Sequence, residues 1–484
     1  MELQLSMWSP GLAIGAVVTI LLTHLVYRWR NPKCNGVLPP GSMGFPLIGE
    51  TIQLIASGNT LDLPPFIKKR VQKYGPIFRT SLVGRSIVVT ADPEINSFIY
   101  AQEGKTVELW YLDSISKVLK QDGDTRTTAG GVIHKYLRGI TLNHFGSESL
   151  KTKLLADIQR CVDKVLVQWS SRPSVEMQHG TLAMLYDFNA DVMFGYDPEK
   201  SSESISESLI TLADGFMAVP LNLPGTKYNK CLKAQKKLVN MFKDLVKERR
   251  QAAAAAAAAN ARGDFLDQAL RDIGTEQFLS EEFVVNLLFG ILFASGSVSG
   301  SLTLMLKLLA ENPSVVRELT AEHEAFLKQR KDPESPITWE EYKSMTFTLQ
   351  VIYETLRLSN ALPFLLRRTI KDLNIKGYTI PAGWTLMVAN SALHLNPGTH
   401  KDPLDFNPWR WKDLDQHSIS KNLQPFGGGS RQCAGADYSR VFMAIFLHTL
   451  LTKYSWRKVK GGDISRSPIL KFGDGLHISF KAKA

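Results

Sequence analysis

The segment Pro425-Phe426-Gly427-Gly428-Gly429-Ser430-Arg431-Gln432-Cys433-Ala434-Gly435 concentrates more chemistry than any other stretch of this 484-residue chain. A single cysteine follows a glycine-rich turn and precedes a run that reads as a helix through Tyr438 and Phe442. Consecutive glycines let backbone approach a flat cofactor closely, because no Cβ stands in the way. Peptide N–H groups in such a turn hydrogen-bond a sulfur ligand and tune its donor strength. The positive end of the following helix, set beside Cys433, favours thiolate over thiol. Arg431 is placed to pair with a carboxylate on the cofactor rim. A lone cysteine would read as a buried structural residue. Phe-x-x-Gly-x-Arg-x-Cys-x-Gly as a unit reads as an axial thiolate ligand.

A second constellation lies upstream. Glu354 and Arg357, in Glu354-Thr355-Leu356-Arg357, are three apart and share a helix face. Alone, such a pair is usually a solvated surface pair worth little. Phe406-Asn407-Pro408-Trp409-Arg410 adds a second arginine before the cysteine loop. In their order and spacing these segments resemble the cytochrome P-450 superfamily, the haem-thiolate monooxygenases, and the resemblance runs over nearly the whole chain. It implies a P-450 fold, haem b held through its iron by Cys433, and a buried cluster of Glu354, Arg357 and Arg410 behind the haem loop. Phe426, Gly427, Arg431 and Gly435 then belong to that loop. His134 and Arg138, four apart on one helix face, and Arg367 match the family positions that reach the haem propionates.

Composition suits a globular protein with a large core, with 44% of residues hydrophobic and 21% charged. No Ser/Gly-rich linker divides the chain after about residue 45, so residues 45–484 are expected to form one catalytic domain. Cys34, Cys161, Cys231 and Cys433 have neither paired nor metal-type spacing, which argues against a disulfide framework and for a reducing compartment. The formal charge of +11 fits either a lysine-rich soluble face or attraction to anionic headgroups and an acidic electron donor. No nucleic-acid partner is expected. Trp8 to Val26 is apolar almost throughout, close to the ~20 residues that cross hydrocarbon. Glu2 precedes it and Arg28, Arg30 and Lys33 follow, so residues 1–30 read as a transmembrane anchor with the bulk of the chain in the cytoplasm. A cleaved signal peptide, the rival reading, carries its positive charges before the apolar run. Leu38-Pro39-Pro40-Gly41-Ser42-Met43-Gly44 cannot be helical, and residues 31–44 read as a stiff proline-rich hinge.

The rest reads as mainly α with small β-sheets. Ile77 to Thr90, with Gly84 near its middle, alternates like a hairpin. Helical patterns dominate from Asp92 to Leu358, a short strand is expected within Ile370–Ile380, and Tyr378 to Trp384 reads as strand, turn and strand. The tail from Ser467 to Phe480 is strand-like. Ala252 to Ala259 is a low-complexity run that extends a surface helix and carries no chemistry.

Glu282 to Leu309 reads as one long apolar helix. In the family, the helix above the haem carries an acid followed by threonine, which relay protons to bound dioxygen. Here the stretch is Ala294-Ser295-Gly296-Ser297-Val298-Ser299-Gly300-Ser301. Aligned without a gap, Ser297 takes the acid position and Val298 the threonine position. Three readings stay open: Ser297 or Ser299 with water replaces the pair; a one-residue shift brings Ser299 to the alcohol position; or activity is poor or altered.

Trp110, Tyr111, Phe216, Leu221, Ala294, Leu362, Leu365, Ile469 and Leu470 fall in the family's substrate-pocket segments; as a group they imply an apolar cavity for a bulky lipid. The chain lacks a convincing Gly-x-Gly-x-x-Gly unit after a strand, so electrons are expected from a partner, and the resemblance to membrane-bound plant members implies an NADPH-dependent P-450 reductase. Asn407 to Lys412, Lys343 to Thr348 and the hinge resemble the plant sterol- and triterpenoid-oxidising clan, and within it hydroxylases of cucurbitane (cucurbitadienol-like) triterpenoids. This implies hydroxylation of a tetracyclic triterpenoid or sterol, with ring position 11 the expected site, at the endoplasmic reticulum membrane. A reductase-independent isomerase or dehydratase, and a haem-binding protein with impaired oxygen activation, are the alternatives.

Overall fold

Alternating residues on either side of Val83-Gly84 produce the expected hairpin. The computed structural model describes residues 10–56, 58, 60–121, 127–201, 203–255, 262–332, 334–466 and 469–483. In it, Ile77–Leu82 and Arg85–Thr90 pair antiparallel, from Ile77↔Thr90 to Leu82↔Arg85. Val83 and Gly84 take φ of 51° and 72°, the positive values that a two-residue turn between twisted strands requires. Thr385–Val388 joins parallel to the second strand. Leu365–Thr369 and then Val107–Leu109 complete a five-stranded sheet. The stretch Ile370–Ile380 holds two short strands where one was expected. The chain is already extended at Leu365–Thr369, then turns, and Leu373–Ile375 pairs with Tyr378–Ile380 as a separate hairpin.

The chain divides into two compact units. One joins the N-terminal segment to Leu63–Trp110 and Phe364–Ala389; the other joins Gly58–Asp62, Tyr111–Pro363 and Asn390–Ala484. The first holds the five-stranded sheet, and Val88, Leu386 and Val388 are fully buried with Ile95, Ile99 and Trp384 beneath it. Its N-terminal helix Pro10–Arg30 is long and apolar enough to cross a membrane by length and composition, and Leu12, Ile14, Leu21 and Leu25 stand exposed along it. Trp8 lies outside the described residues. In the proline segment, Pro40 O accepts a bond from Arg79 N, and a Cβ on Gly41 would come within 2.0 Å of Arg79 O.

The second unit is helical. Its last long helix, Ala436–Lys453, is buried almost all round, which suits a sequence with apolar residues on every face. Thr346–Ser359 packs near it and ends at Asn360 in the left-handed conformation, a C-terminal stop that asparagine tolerates. The tail forms Leu476–Ala482, which pairs with both Tyr454–Gly461 and Val175–Glu176, while Leu470–Lys471 pairs with Ser465–Arg466; Ser467 lies outside the described residues. The alanine run begins inside the helix Lys227–Ala255, and residues 256–261 lie outside the described residues.

The single helix expected from Glu282 to Leu309 is two, Glu281–Ser295 and Val298–Glu311. Between them Gly296 N, Ser297 N and Ser299 N reach carbonyls three residues back instead of four. Ser295 Oγ donates to Leu292 O, a local bond that competes with the helical ladder. A Cβ on Gly296 would lie 2.3 Å from the Oη of buried Tyr186, so a larger residue there must push that ring aside.

Two buried histidines, His323 and His448, face each other with their Nδ1 atoms 3.1 Å apart. Thr348 Oγ1 donates to Glu322 Oε2 (2.6 Å), so it accepts from His323 Nε2–H (3.0 Å). His323 Nδ1 is then the acceptor and His448 Nδ1–H the donor. Burial pushes His323 down to about 4; burial, then His323, Arg330 and Lys453, push His448 down to about 3. Both folded values lie below the ordinary 6.5, so protonation favours the unfolded chain. Stability from the pair is whole above about pH 6.5 and is lost as pH falls toward 4. Thermal unfolding between pH 7 and 4 is expected to show a shallower acid slope in the double variant His323→Leu/His448→Leu than in the wild type; equal slopes would contradict the assignment.

Candidate functional site

The cysteine loop is built from backbone bonds. Gly427 N donates to Gln424 O (3.2 Å), Gln432 N to Gly429 O (3.1 Å) and Cys433 N to Phe426 O (3.0 Å). Gly427 and Gly429 take φ of 71° and 67°, which explains two of the three glycines; Gly428 is extended. Cys433 stands three residues before the helix that begins at Ala436, with Gly435 at the N-cap between them. The thiol is accessible, yet surrounding protein desolvates it enough to raise its pKa; the Gly435 N–H, Arg138 and Arg440 act in the opposite direction. That combination describes a sulfur opening into an enclosed space, with cations and an N–H waiting for its anion.

Arginines gather round this loop. Arg138 Nη1 donates to Gln432 O (2.7 Å), Arg431 Nη2 to Thr128 O and Ala129 O (3.2 Å each), and the Arg440 guanidinium lies 5.5 Å from the centre of the Phe426 ring. His134, one turn before Arg138, is half-buried. Arg367 belongs to the other unit. There it is buried in an ion pair with Glu103 (2.7 Å).

Glu354 and Arg357 are completely buried. Arg357 Nε and Nη2 engage the two carboxylate oxygens of Glu354 at 2.9 and 2.8 Å. Arg410 Nε, Trp411 Nε1 and Asn407 N also donate to this carboxylate, at 2.9, 2.9 and 3.0 Å. Arg357 spends its remaining donors on the carbonyls of His394, Pro403 and Asp405. Nothing about Glu354 is left unsatisfied, the condition under which a buried ion pair is tolerable.

Ser297 is exposed at the helix break and Val298 is 7% exposed. Ser299 is buried; its hydroxyl donates to Gln178 O (3.1 Å) and shares a bond with Thr181 Oγ1 (2.7 Å). Of the pocket residues in this unit, Ala294, Leu221 and Leu362 are exposed, Tyr111 and Ile469 are partly buried, and Leu470 is buried. Phe216 packs on Phe293, ring centroids 5.2 Å apart. Trp110 and Leu365 lie in the first unit, where Trp110 lines a cleft of about 320 Å³ with Arg85, Glu108, Arg368 and Thr385.

A profile of the family described as Cytochrome P-450 matches residues 39–478. The chain belongs to the cytochrome P-450 family. It is 52% identical over 478 residues to cucurbitadienol 11-hydroxylase of Siraitia grosvenorii, covering 99% of this chain and 100% of that one. It is 50% identical, with the same coverage, to beta-amyrin 16-alpha-hydroxylase of Maesa lanceolata. A solved cyanobacterial P-450 with retinoic acid bound superposes with a TM-score of 0.79 at 24% identity, covering 93% of this chain and 100% of that one, and shows the same fold.

Haem b is the cofactor of this P-450, and the residues fit it. The Cys433 thiol is accessible and not sealed in a packed core, Gly427 and Gly429 give the turn its positive φ values, and Arg138 and Arg431 bring positive charge to the loop. Sequence reasoning missed Trp411, Asn407 N and Arg440. Trp411 stands in a quoted segment, Asn407 to Lys412, and only its indole N–H, a donor with no acceptor role, hinted at a buried acid.

Proposed function

We propose that this P-450 hydroxylates a triterpenoid, with a cucurbitadienol-like skeleton and ring position 11 as the first substrate and site to test. The observation that carries this is full-length identity of about half to two triterpenoid hydroxylases. One atom of dioxygen enters a C–H bond, the other leaves as water, and NADPH supplies two electrons through a P-450 reductase. Bound haem supplies the activation of dioxygen and the transfer of its oxygen to carbon. The chain's own contribution is ligation and positioning. Cys433 Sγ, with the Gly435 N–H beside it, would hold the iron as thiolate, and Arg138, Arg431 and His134 would hold the propionates; Arg367, paired with Glu103 in the other unit, is left out of this set.

For proton delivery we favour Ser297 with water over Ser299. The Ser299 hydroxyl is committed to Gln178 O and Thr181, and Val298 has no proton to pass. Within the helical unit, Tyr111, Phe216, Leu221, Ala294, Leu362, Ile469 and Leu470 supply the apolar wall that orients substrate and excludes water. The helix Pro10–Arg30 holds the protein in the endoplasmic reticulum membrane, and Arg28, Arg30 and Lys33 keep the rest on the cytoplasmic side. The isomerase alternative is not favoured, since the relatives are hydroxylases and the cysteine loop has ordinary spacing.

Microsomes bearing the full chain, incubated with a triterpenoid panel, test this reading. Hydroxylated product that needs both NADPH and reductase is expected; turnover of hydroperoxides without NADPH would overturn it.

A further inference from the structure

Arg466, on the short strand Ser465–Arg466, is 3% exposed and sits where a carboxylate would be the usual partner. Among the described residues its guanidinium donates only to main-chain carbonyls: Nη1 to Asn360 O (3.3 Å), Nη2 to Leu358 O (3.3 Å) and Ser359 O (3.0 Å). Burial brings its pKa down to about 10, which leaves it cationic at neutral pH. A buried cation is costly without compensation. Here the compensation is the C-terminal end of Thr346–Ser359, whose last carbonyls carry the negative end of the helix dipole. A planar guanidinium can reach three successive carbonyls at once; a lysine ammonium is a single point charge and cannot.

The backbone of Arg466 is fixed too, with its N–H on Gly58 O (2.7 Å) and its O accepting from Gly58 N (3.0 Å). What the side chain joins is specific. Asn360 lies two residues before Leu362, and Arg466 pairs directly with Leu470 across the small hairpin that also carries Ile469. At the same helix end Ser301 Oγ donates to Ser359 Oγ (3.0 Å), which ties in the helix that starts beside Ser297.

We propose that Arg466 is a positioning residue for substrate: it sets the spacing between the segment bearing Leu362 and the hairpin bearing Ile469 and Leu470, and thereby selects which carbon is oxygenated. This rests on the pocket described under the proposed function. A guanidinium clamp between two wall segments fixes their separation more tightly than apolar contact does, because its hydrogen bonds are directional.

The test compares Arg466→Lys and Arg466→Gln with the wild type in full-length chains. Purified proteins are followed by amide hydrogen exchange over residues 360–362 and 469–472, and microsomes with reductase by product distribution. Both variants are expected to keep the thiolate-type carbon monoxide spectrum, to exchange faster in both segments, and to lower the ratio of main product to minor regioisomers about tenfold. Lysine is not expected to restore that ratio. A wild type that oxidises no triterpenoid overturns the substrate reading, and the exchange measurement then decides the role of Arg466. Unchanged exchange with an unchanged product ratio overturns the proposal. So does loss of the carbon monoxide spectrum in both variants, which would make Arg466 a residue of the scaffold as a whole.

Discussion

Replacing Cys433 by serine is expected to abolish the thiolate-type carbon monoxide spectrum of the reduced protein, and with it all turnover. Serine preserves volume and the bond from its N–H to Phe426 O, since that bond is a backbone one. What it removes is the soft anion. A thiol near neutral pH is a few per cent ionised at most and here is further desolvated, but the Gly435 N–H, Arg138 and Arg440 all favour the thiolate once a metal takes the proton's place. A serine hydroxyl in the same surroundings has no accessible anion and gives iron no comparable electron donation. Loss is therefore expected to be complete. A Cys433→Ser protein that keeps the spectrum would show that another residue holds the iron.

Glu354→Ala is expected to cost about 3–5 kcal/mol, the usual penalty for breaking a buried ion pair from one side. Against a total stability of about 5–15 kcal/mol, that leaves a protein that folds poorly and takes up little haem. The loss is large because five donors converge on one carboxylate. Its removal strands the fully buried Arg357 and leaves the Trp411 indole N–H without an acceptor. Glu354→Gln is expected to fail nearly as badly, since an amide has one acceptor oxygen and would turn its NH₂ toward other donors. Haem content and thermal unfolding of both variants check this. A wild-type midpoint in Glu354→Ala would contradict the account.

How much of this was legible in the sequence follows from which interactions are local. The Cys433 loop was legible because turn, ligand and helix cap lie within about a dozen residues and each needs a particular residue type. Glu354, Arg357 and Arg410 were legible as an ordered set, and the structure brings all three together. The helix break at Gly296-Ser297 was legible only in part: Gly296 and Gly300 are weak helix formers that fit a locally opened helix, but the apolar pattern continues on both sides and the close contact is with Tyr186, far upstream. The role of Ser299 was hidden for the same reason: its partner Gln178 is 121 residues away. Arg367 gave no hint of Glu103, and nothing near Arg466 in sequence announces three carbonyls at a helix end. Spacing within one element reports chemistry well; which distant group an element meets is fixed only by packing.

Oxygen insertion into a triterpenoid is tested most directly with isotopically labelled dioxygen. Full-length protein in microsomes with P-450 reductase and NADPH is given a cucurbitadienol-type substrate under labelled gas, and the product is weighed by mass spectrometry. One labelled oxygen atom per hydroxyl formed is expected, with none incorporated from labelled water. Product whose oxygen comes from water or from a hydroperoxide already on the substrate would contradict the account.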